Sequence, residues 1–201
     1  MAVYDEIQGI DKVYIAEVTE DTTDAYTTGT LEQLAPAGEL TKTTEQAAST
    51  TYYDNVPFNA ITSEGADTLT LTCPVLPASV YGKILGKKVD PTTGALFDEG
   101  IPSNKYFALA YRMRFVDGTF RYVVKYKVKF SIPDEAAKTL DASTDVNNMS
   151  LTMTAINTTH KFAANGSSMK GIFADERDGK ADVSTWYDAV VTPDTIKAVT
   201  A

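Results

Sequence analysis

The chain reads as mainly β: an antiparallel β-sandwich or barrel with one short flanking α-helix and a long extended arm. Three observations predict this. Short stretches alternate apolar and polar residues, as strands with one buried face do. Gly, Pro, Asn and Asp punctuate the chain at close spacing. Only one stretch carries a helical period. Few long strands and recurrent turns favour a sandwich or barrel over a parallel sheet.

The elements follow in order. Val13–Val18 (VYIAEV) is the first strand. Asp21–Thr30 is polar and turn-rich, and Leu31–Leu40 is broken at Pro36-Ala37-Gly38. Thr41–Ala60 has little alternation, and Asn55 with Pro57 excludes a helix; it reads as two extended arms joined by a mobile tip. Ala66–Val75 alternates Leu69, Leu71 and Cys73 with Thr68, Thr70 and Thr72, the pattern of a half-buried strand. In Pro77–Gly86 the pairs Val80/Ile84 and Tyr81/Leu85 share one helical face. Pro at its start and Gly at its end punctuate a short helix that caps the β core; Gly82 weakens it. Lys87–Ser103 is a loop with short extended pieces.

Lys105–Phe130 is the strongest hairpin. Asp117-Gly118 suits a two-residue type I′ turn. That turn sets Phe115 opposite Phe120, Met113 opposite Tyr122, Tyr111 opposite Val124, Leu109 opposite Tyr126 and Phe107 opposite Val128, all on an apolar face. The other face pairs Arg114 with Arg121, Arg112 with Val123, Ala110 with Lys125, Ala108 with Lys127 and Tyr106 with Lys129. Ser131–Asn147 is a polar excursion. Met149–Asn157 is a strand with Met149, Leu151, Met153 and Ala155 inward. Lys161–Asp175 turns at Asn165-Gly166, and Ser184–Val191 (STWYDAVV) is a final strand.

The length of 201 residues fits one domain, 1–201, with an arm at about 41–62. The formal charge is −9, which argues against a protein that binds nucleic acid by neutralising phosphates. The charge is uneven. Residues 1–80 hold thirteen acidic side chains against Lys12 and Lys42; residues 81–201 hold sixteen basic against fourteen acidic. An acidic first part and a cationic hairpin stripe (Arg112, Arg114, Arg121, Lys125, Lys127, Lys129) can cancel within one subunit or meet head to tail between subunits, closing a ring or extending a filament. A second candidate contact is the arm: Thr51, Tyr52, Tyr53, Asp54, Val56 and Phe58. Its aromatic residues need cover, from their own domain or from a neighbour.

Catalytic and metal chemistry find no footing. Cys73 is the single cysteine, so neither an intramolecular disulfide nor a cysteine metal site is expected. His160 is the single histidine, with no Gly-X-Ser-X-Gly elbow, HExxH or phosphate loop to accompany it. Asp134-Glu135 and Asp175-Glu176 read as solvated loop pairs, and Asp175, Glu176 and Asp178 lack calcium-loop spacing. The expectation is a protein that is not an enzyme and uses no cofactor. The first residues lack the pattern of a secretory signal, and no apolar run approaches membrane-spanning length. The Asn-X-Ser/Thr triplets at Asn148, Asn157 and Asn165 therefore carry no glycosylation meaning, and a reducing cytoplasm is the expected site of synthesis.

The order of pieces resembles the major tail protein, or tail tube protein, of long-tailed bacteriophages of Gram-positive bacteria. The resemblance lies in the VYIAEV strand, the GELTKTTEQ segment before the arm, the TLTLTCPVLPASVYGKILG strand-to-helix unit, the YFALAYRMRFVDGTFRYVVKYKVKFSIPDEAAKTLD hairpin and loop, and the late TWYDAVV. It covers most of the chain in arrangement and texture. It implies a structural virion protein forming hexameric rings that stack into a tail tube, the conduit for DNA ejection. Its partners would be further copies of itself, the tape measure, tail tip and tail terminator proteins, and double-stranded DNA in transit without sequence preference. It would reside in the virion tail, assembled in the host cytoplasm, without membrane insertion. The arm would tie rings together, and the inner sheet would draw on Lys105–Phe130 and Met149–Asn157. The family lumen is generally acidic, so the cationic stripe is expected at a subunit interface or balanced there by acidic neighbours. The competing classes are a carbohydrate- or host-binding β-sandwich module of a virion and a nucleic-acid-binding β module. Stacking platforms of the latter put aromatics and cations on one face, unlike the separation expected here.

Overall fold

The computed structural model describes residues 4–100, 104–134, 137, 139 and 148–199. Its strands are β1 (Ile7–Asp21), β2 (Tyr26–Thr28), β3 (Glu32–Ala35), β4 (Glu39–Tyr53), β5 (Val56–Cys73), β6 (Phe107–Phe115), β7 (Phe120–Phe130), β8 (Met149–Ile156) and β9 (Gly171–Asp175); α1 spans Ala78–Leu85. Among the described residues the fold is mainly β with one short α-helix, as expected. Among the described residues, nine strands form one antiparallel sheet in the order β2-β1-β6-β7-β8-β5-β4, with β3 also on β1 and β9 also on β7. The sheet does not close, so of the two architectures named from the sequence the closed barrel does not apply.

Both faces of the sheet carry a core. On one, Leu69, Leu71 and Cys73 of β5 and Met149, Leu151, Met153 and Ala155 of β8 pack with Phe107, Leu109 and Tyr111 of β6. Each such aliphatic side chain contributes about 1.5–3 kcal/mol on burial. Helix α1 covers this core with Ile84 and Leu85, and Val80 and Tyr81 pack beside them. Gly86 ends the helix in the left-handed region (φ 65°), its N–H donating to Lys83 O. Gly82 has a packing reason: a Cβ there would lie 2.6 Å from Val89 Cγ2. The Val89–Leu96 bridge is the short extended piece expected in that loop.

The second core lies on the opposite face and is filled from the C-terminal part. Trp186 and Phe162 pack against Tyr122, Val124 and Tyr126 of β7 and Ala108 and Ala110 of β6. Tyr26 bridges into it, donating its hydroxyl to Tyr126 O at 2.6 Å. This explains why β7 is buried on alternate and non-alternate positions alike.

Four expectations are corrected. The hairpin loop has three residues, not two: Phe115 N donates to Thr119 O, Gly118 N to Phe115 O, and Gly118 alone takes positive φ (90°). This is the type I turn plus left-handed glycine of a three-residue hairpin. The register slips by one: Arg114 faces Phe120, Met113 faces Arg121 and Tyr111 faces Val123. A bulge between Phe107 and Leu109 restores the expected Phe107–Val128 pair at the base. Second, the cations therefore do not form one stripe; Arg121 and Lys125 share the face of Val123, while Arg112 and Arg114 take the other. Third, Ser184–Val191 is a run of turns, with Trp186 N donating to Val183 O; a buried indole, not an alternating strand, produced its apolar pattern. Fourth, the turn-rich Asp21–Thr30 includes β2, and Gly171–Asp175 forms β9. The excursion at 131–147 lies largely outside the described residues, Glu135 with it.

Candidate interaction site

The arm is a long β-hairpin. Tyr53 pairs with Val56 around Asp54 and Asn55, both at positive φ (51° and 64°), a type I′ turn made from residues that tolerate it. Strand β5 pairs with β8 only from Cys73 back to Asp67. From the Gln46–Glu64 pair to the tip, two strands run alone over eight residues of β4, roughly 25 Å. The expected arm at 41–62 falls within this hairpin, whose pairing continues to Glu39–Thr72.

The arm's apolar side chains stand in solvent: Tyr52 is 63% exposed, Tyr53 64%, Val56 61% and Phe58 75%. Within the subunit the Tyr53 and Phe58 rings lie 5.0 Å apart and nearly edge-on. Ile61, at 55% exposed, extends the patch and was not singled out from sequence. Thr51 is half-buried and donates to Asn59 O. Residues 43–66 hold Glu45, Asp54 and Glu64 and no cation. A free two-stranded ribbon is marginal in water, and contiguous exposed apolar surface marks an interaction site.

The cations of the hairpin are mostly neutralised inside the subunit. Arg112 makes a bidentate pair with Asp11 (2.6 and 2.8 Å) and lies 3.8 Å over the Phe120 ring. Arg121 makes a second bidentate pair, with Asp175 (2.6 and 2.8 Å). Asp175 thus sits at the end of β9 and not in a solvated loop. Lys127 donates to Asp21 at 2.5 Å, and Lys125 to Asp67 at 2.6 Å. Lys129 lies 5.9 Å over Tyr106, and Arg114 is exposed near the hairpin turn. Asp11, Asp21 and Asp67 belong to the acidic first part of the chain, so the charge asymmetry is largely resolved within the fold.

Asp67 was not singled out from sequence. Its carboxylate is 1% exposed and accepts from Lys125, from Lys170 at 2.8 Å and from Thr44 at 2.9 Å. Burial alone would raise its pKa, but these donors outweigh that and hold it well below the usual carboxylate range. The same balance operates at Asp21, where Lys127 and the His160 and Thr159 N–H groups overcome desolvation. At Asp11 and Asp175 the partner arginine is the leading cause of lowering.

Two further surfaces are defined. Away from the α1 core, β4, β5 and β8 align threonines in rows: Thr41–Thr70–Thr152 and Thr43–Thr68–Thr154. Successive strands put these hydroxyls about 4.8 Å apart. A cleft of about 340 Å³ is lined by Lys12, Tyr122, Glu176, Asp182, Ser184 and Tyr187. Lys12 adopts positive φ (51°) and holds its ammonium 5.3 Å from the Tyr187 ring.

His160 places Nδ1 3.3 Å from Thr23 O and its ring edge-on to Phe162, a structural setting. Cys73 is buried and free, and burial raises its pKa. Among the described residues no group of three or more His, Cys, Asp or Glu could hold a metal ion, and no helix is long and apolar enough to cross a membrane. No protein-family model matches the chain, and no curated protein matches it.

Proposed function

We propose that this chain is a structural virion protein that self-assembles into hexameric rings stacked as a phage tail tube, the conduit for DNA ejection. The observation that carries the reading is the free arm. A ribbon with Tyr52, Tyr53, Val56 and Phe58 exposed near its tip has no partner surface within the described residues of its own subunit. A second copy supplies one in an assembly of identical subunits. The unpaired outer edge of β4 adds backbone donors and acceptors for strand pairing between copies. The threonine rows support the same reading: a hydroxyl surface of low charge density, bordered on β7 by Lys129 opposite Thr154, offers few groups to hold phosphates, which suits passage of a polyanion. On this reading the protein is not an enzyme and resides in the virion tail. It contacts tape measure, tail tip and tail terminator proteins, and DNA passes without sequence-specific binding.

The cleft beside Tyr187 favours one other reading, a carbohydrate- or host-binding module of a virion. Aromatic faces, carboxylates and a hydroxyl converge there in a volume at the small end of ligand sites. Negative-stain electron microscopy of concentrated protein, with light scattering on the same sample, separates the two. Hollow rings or tubes with six-fold end views support the tube subunit. Compact monomers that persist after seeding with tail tips overturn it and favour the host-binding module.

A further inference from the structure

The geometry points to Lys170 and Asp67 as positioning residues that set the direction in which the arm leaves the domain; this rests on the tube reading for its purpose, though not for its geometry. Three features coincide at the arm's root. Pairing between β5 and β8 ends at Asp67–Ala155. Pairing between β4 and β5 shifts register between Thr44 and Gln46, so Glu45 alone on β4 faces a two-residue bulge of β5, Gly65-Ala66, at the same level. The Glu45 side chain lies across Gly65, where a Cβ would come within 2.8 Å of Glu45 Oε2. Two strands entering a free ribbon through a bulge would otherwise form a hinge.

Lys170 closes that hinge. It immediately precedes β9, which is paired to β7, so its backbone belongs to the rigid sheet. Its ammonium has three N–H donors, and three acceptors from the arm root receive them: Asp67 Oδ1 at 2.8 Å, Gly65 O at 3.0 Å and the Glu64 carboxylate. Asp67 in turn is tied to β7 through Lys125 and to β4 through Thr44. Both strands of the arm are thereby tied to one ion cluster at the level where the pairing of β5 with β8 stops. A core ion pair that served stability alone would have no need of Glu64 and Gly65, which lie beyond the core on the arm itself. An arm held at one angle before contact loses less freedom on docking, so the joint raises affinity without touching the partner.

The test uses spin labels at Thr50→Cys on the arm and Lys161→Cys on the domain, with electron–electron distance measurements on the full chain at assembly-incompetent dilution. The native background should give one narrow distance distribution. Lys170→Met should broaden it, and Lys170→Arg should narrow it again. Glu64→Gln, which leaves the buried Asp67 contacts in place and removes an exposed carboxylate, should broaden it less; it keeps the test available should Lys170→Met not fold. Light scattering should show the concentration threshold for tube formation rising about tenfold for Lys170→Met, in step with the width. Unchanged widths in both Lys170→Met and Glu64→Gln overturn the joint; a broadened arm with an unchanged threshold overturns its contribution to assembly. If the native protein forms no tubes, the tube reading fails, while the distance widths alone still decide whether Lys170 fixes the arm.

Discussion

Lys125 donates to Asp67 across 2.6 Å, and the pair joins the central hairpin to the root of the arm. Asp67 is 1% exposed and is faced by Lys170 as well. Removing the carboxylate leaves the largely buried Lys125 ammonium without its acceptor, with Lys170 and Lys42 nearby, although Lys170 keeps Glu64. Asp67→Ala should therefore cost about 3–5 kcal/mol, the range for breaking a buried pair by deleting one partner. Urea unfolding followed by circular dichroism measures it. A loss under about 1 kcal/mol would show that water reaches the site and screens the lysines.

The lowered carboxylates fix how stability depends on pH. Asp11, Asp21, Asp67 and Asp175 all have folded pKa values below the ordinary value. A depressed pKa contributes stability that is fully present above the unfolded pKa, about 3.9 for Asp. That stability is lost as pH falls through the folded value, because the unfolded chain then binds more protons. Unfolding free energy should be flat from pH 7 to about 5 and decline steeply below about 4. Asp67→Asn should reduce the slope, since the most strongly lowered carboxyl is gone. An equal slope in the variant would mean that the other three carboxylates carry the acid sensitivity.

The corrected hairpin register changes what charge reversal should do. Arg114 faces Phe120 and is exposed, whereas Arg121 is bound to Asp175. Arg121→Glu sets two carboxylates against each other and should lower stability by about 2–4 kcal/mol. Arg114→Glu should leave the melting curve within about 0.5 kcal/mol of native. If Arg114 meets an acidic neighbour in the assembly, that same variant should raise the scattering threshold in low salt, and added salt should narrow its difference from the native protein. Equal destabilisation by the two variants would contradict the three-residue loop.

Much of the fold was legible because period-two patterning is local. Met149, Leu151, Met153 and Ala155 alternate without interruption, and the structure buries all four. The helix at 78–85 was legible from its i,i+4 pairs and terminal glycine. Patterning failed where a second core covers the other face of the sheet. Tyr122, Val123 and Val124 are all buried, so alternation could not decide the register, and the loop length depended on Gly118 alone taking positive φ. Trp186 misled for a related reason: a buried indole in a run of turns resembles a strand residue when only neighbours are seen. The arm was visible as an aromatic cluster lacking a core pattern. Its joint was hidden, because Asp67 and Lys170 lie 103 residues apart and neither carries a local signal.

Gly118 offers a direct check of the loop. Its φ is 90°, and nothing lies within 4 Å of where a Cβ would stand. Gly118→Ala therefore adds no clash and reports backbone strain alone, about 1–2 kcal/mol. Val116 and Asp117 precede it at negative φ, so Asp117→Gly should not relieve any strain. In a type I′ turn Asp117 would hold positive φ and the glycine substitution would stabilise. Measured unfolding energies for the two variants distinguish the loops.

The arm prediction separates folding from association. Tyr52 and Phe58 are 63% and 75% exposed, and the Phe58 ring contacts Tyr53. Tyr52→Ala with Phe58→Ala removes little that is buried in the subunit, so stability should fall by no more than about 1 kcal/mol. In the assembly those rings would fill pockets on a neighbour, and aromatic anchors of that kind carry about 2 kcal/mol or more apiece. Two anchors lost from every subunit contact should abolish tube formation at concentrations where the native protein assembles. Electron microscopy and light scattering of the double variant read this directly. Tubes of normal length from a stably folded double variant would remove the arm from the assembly and with it the main support for the tube reading.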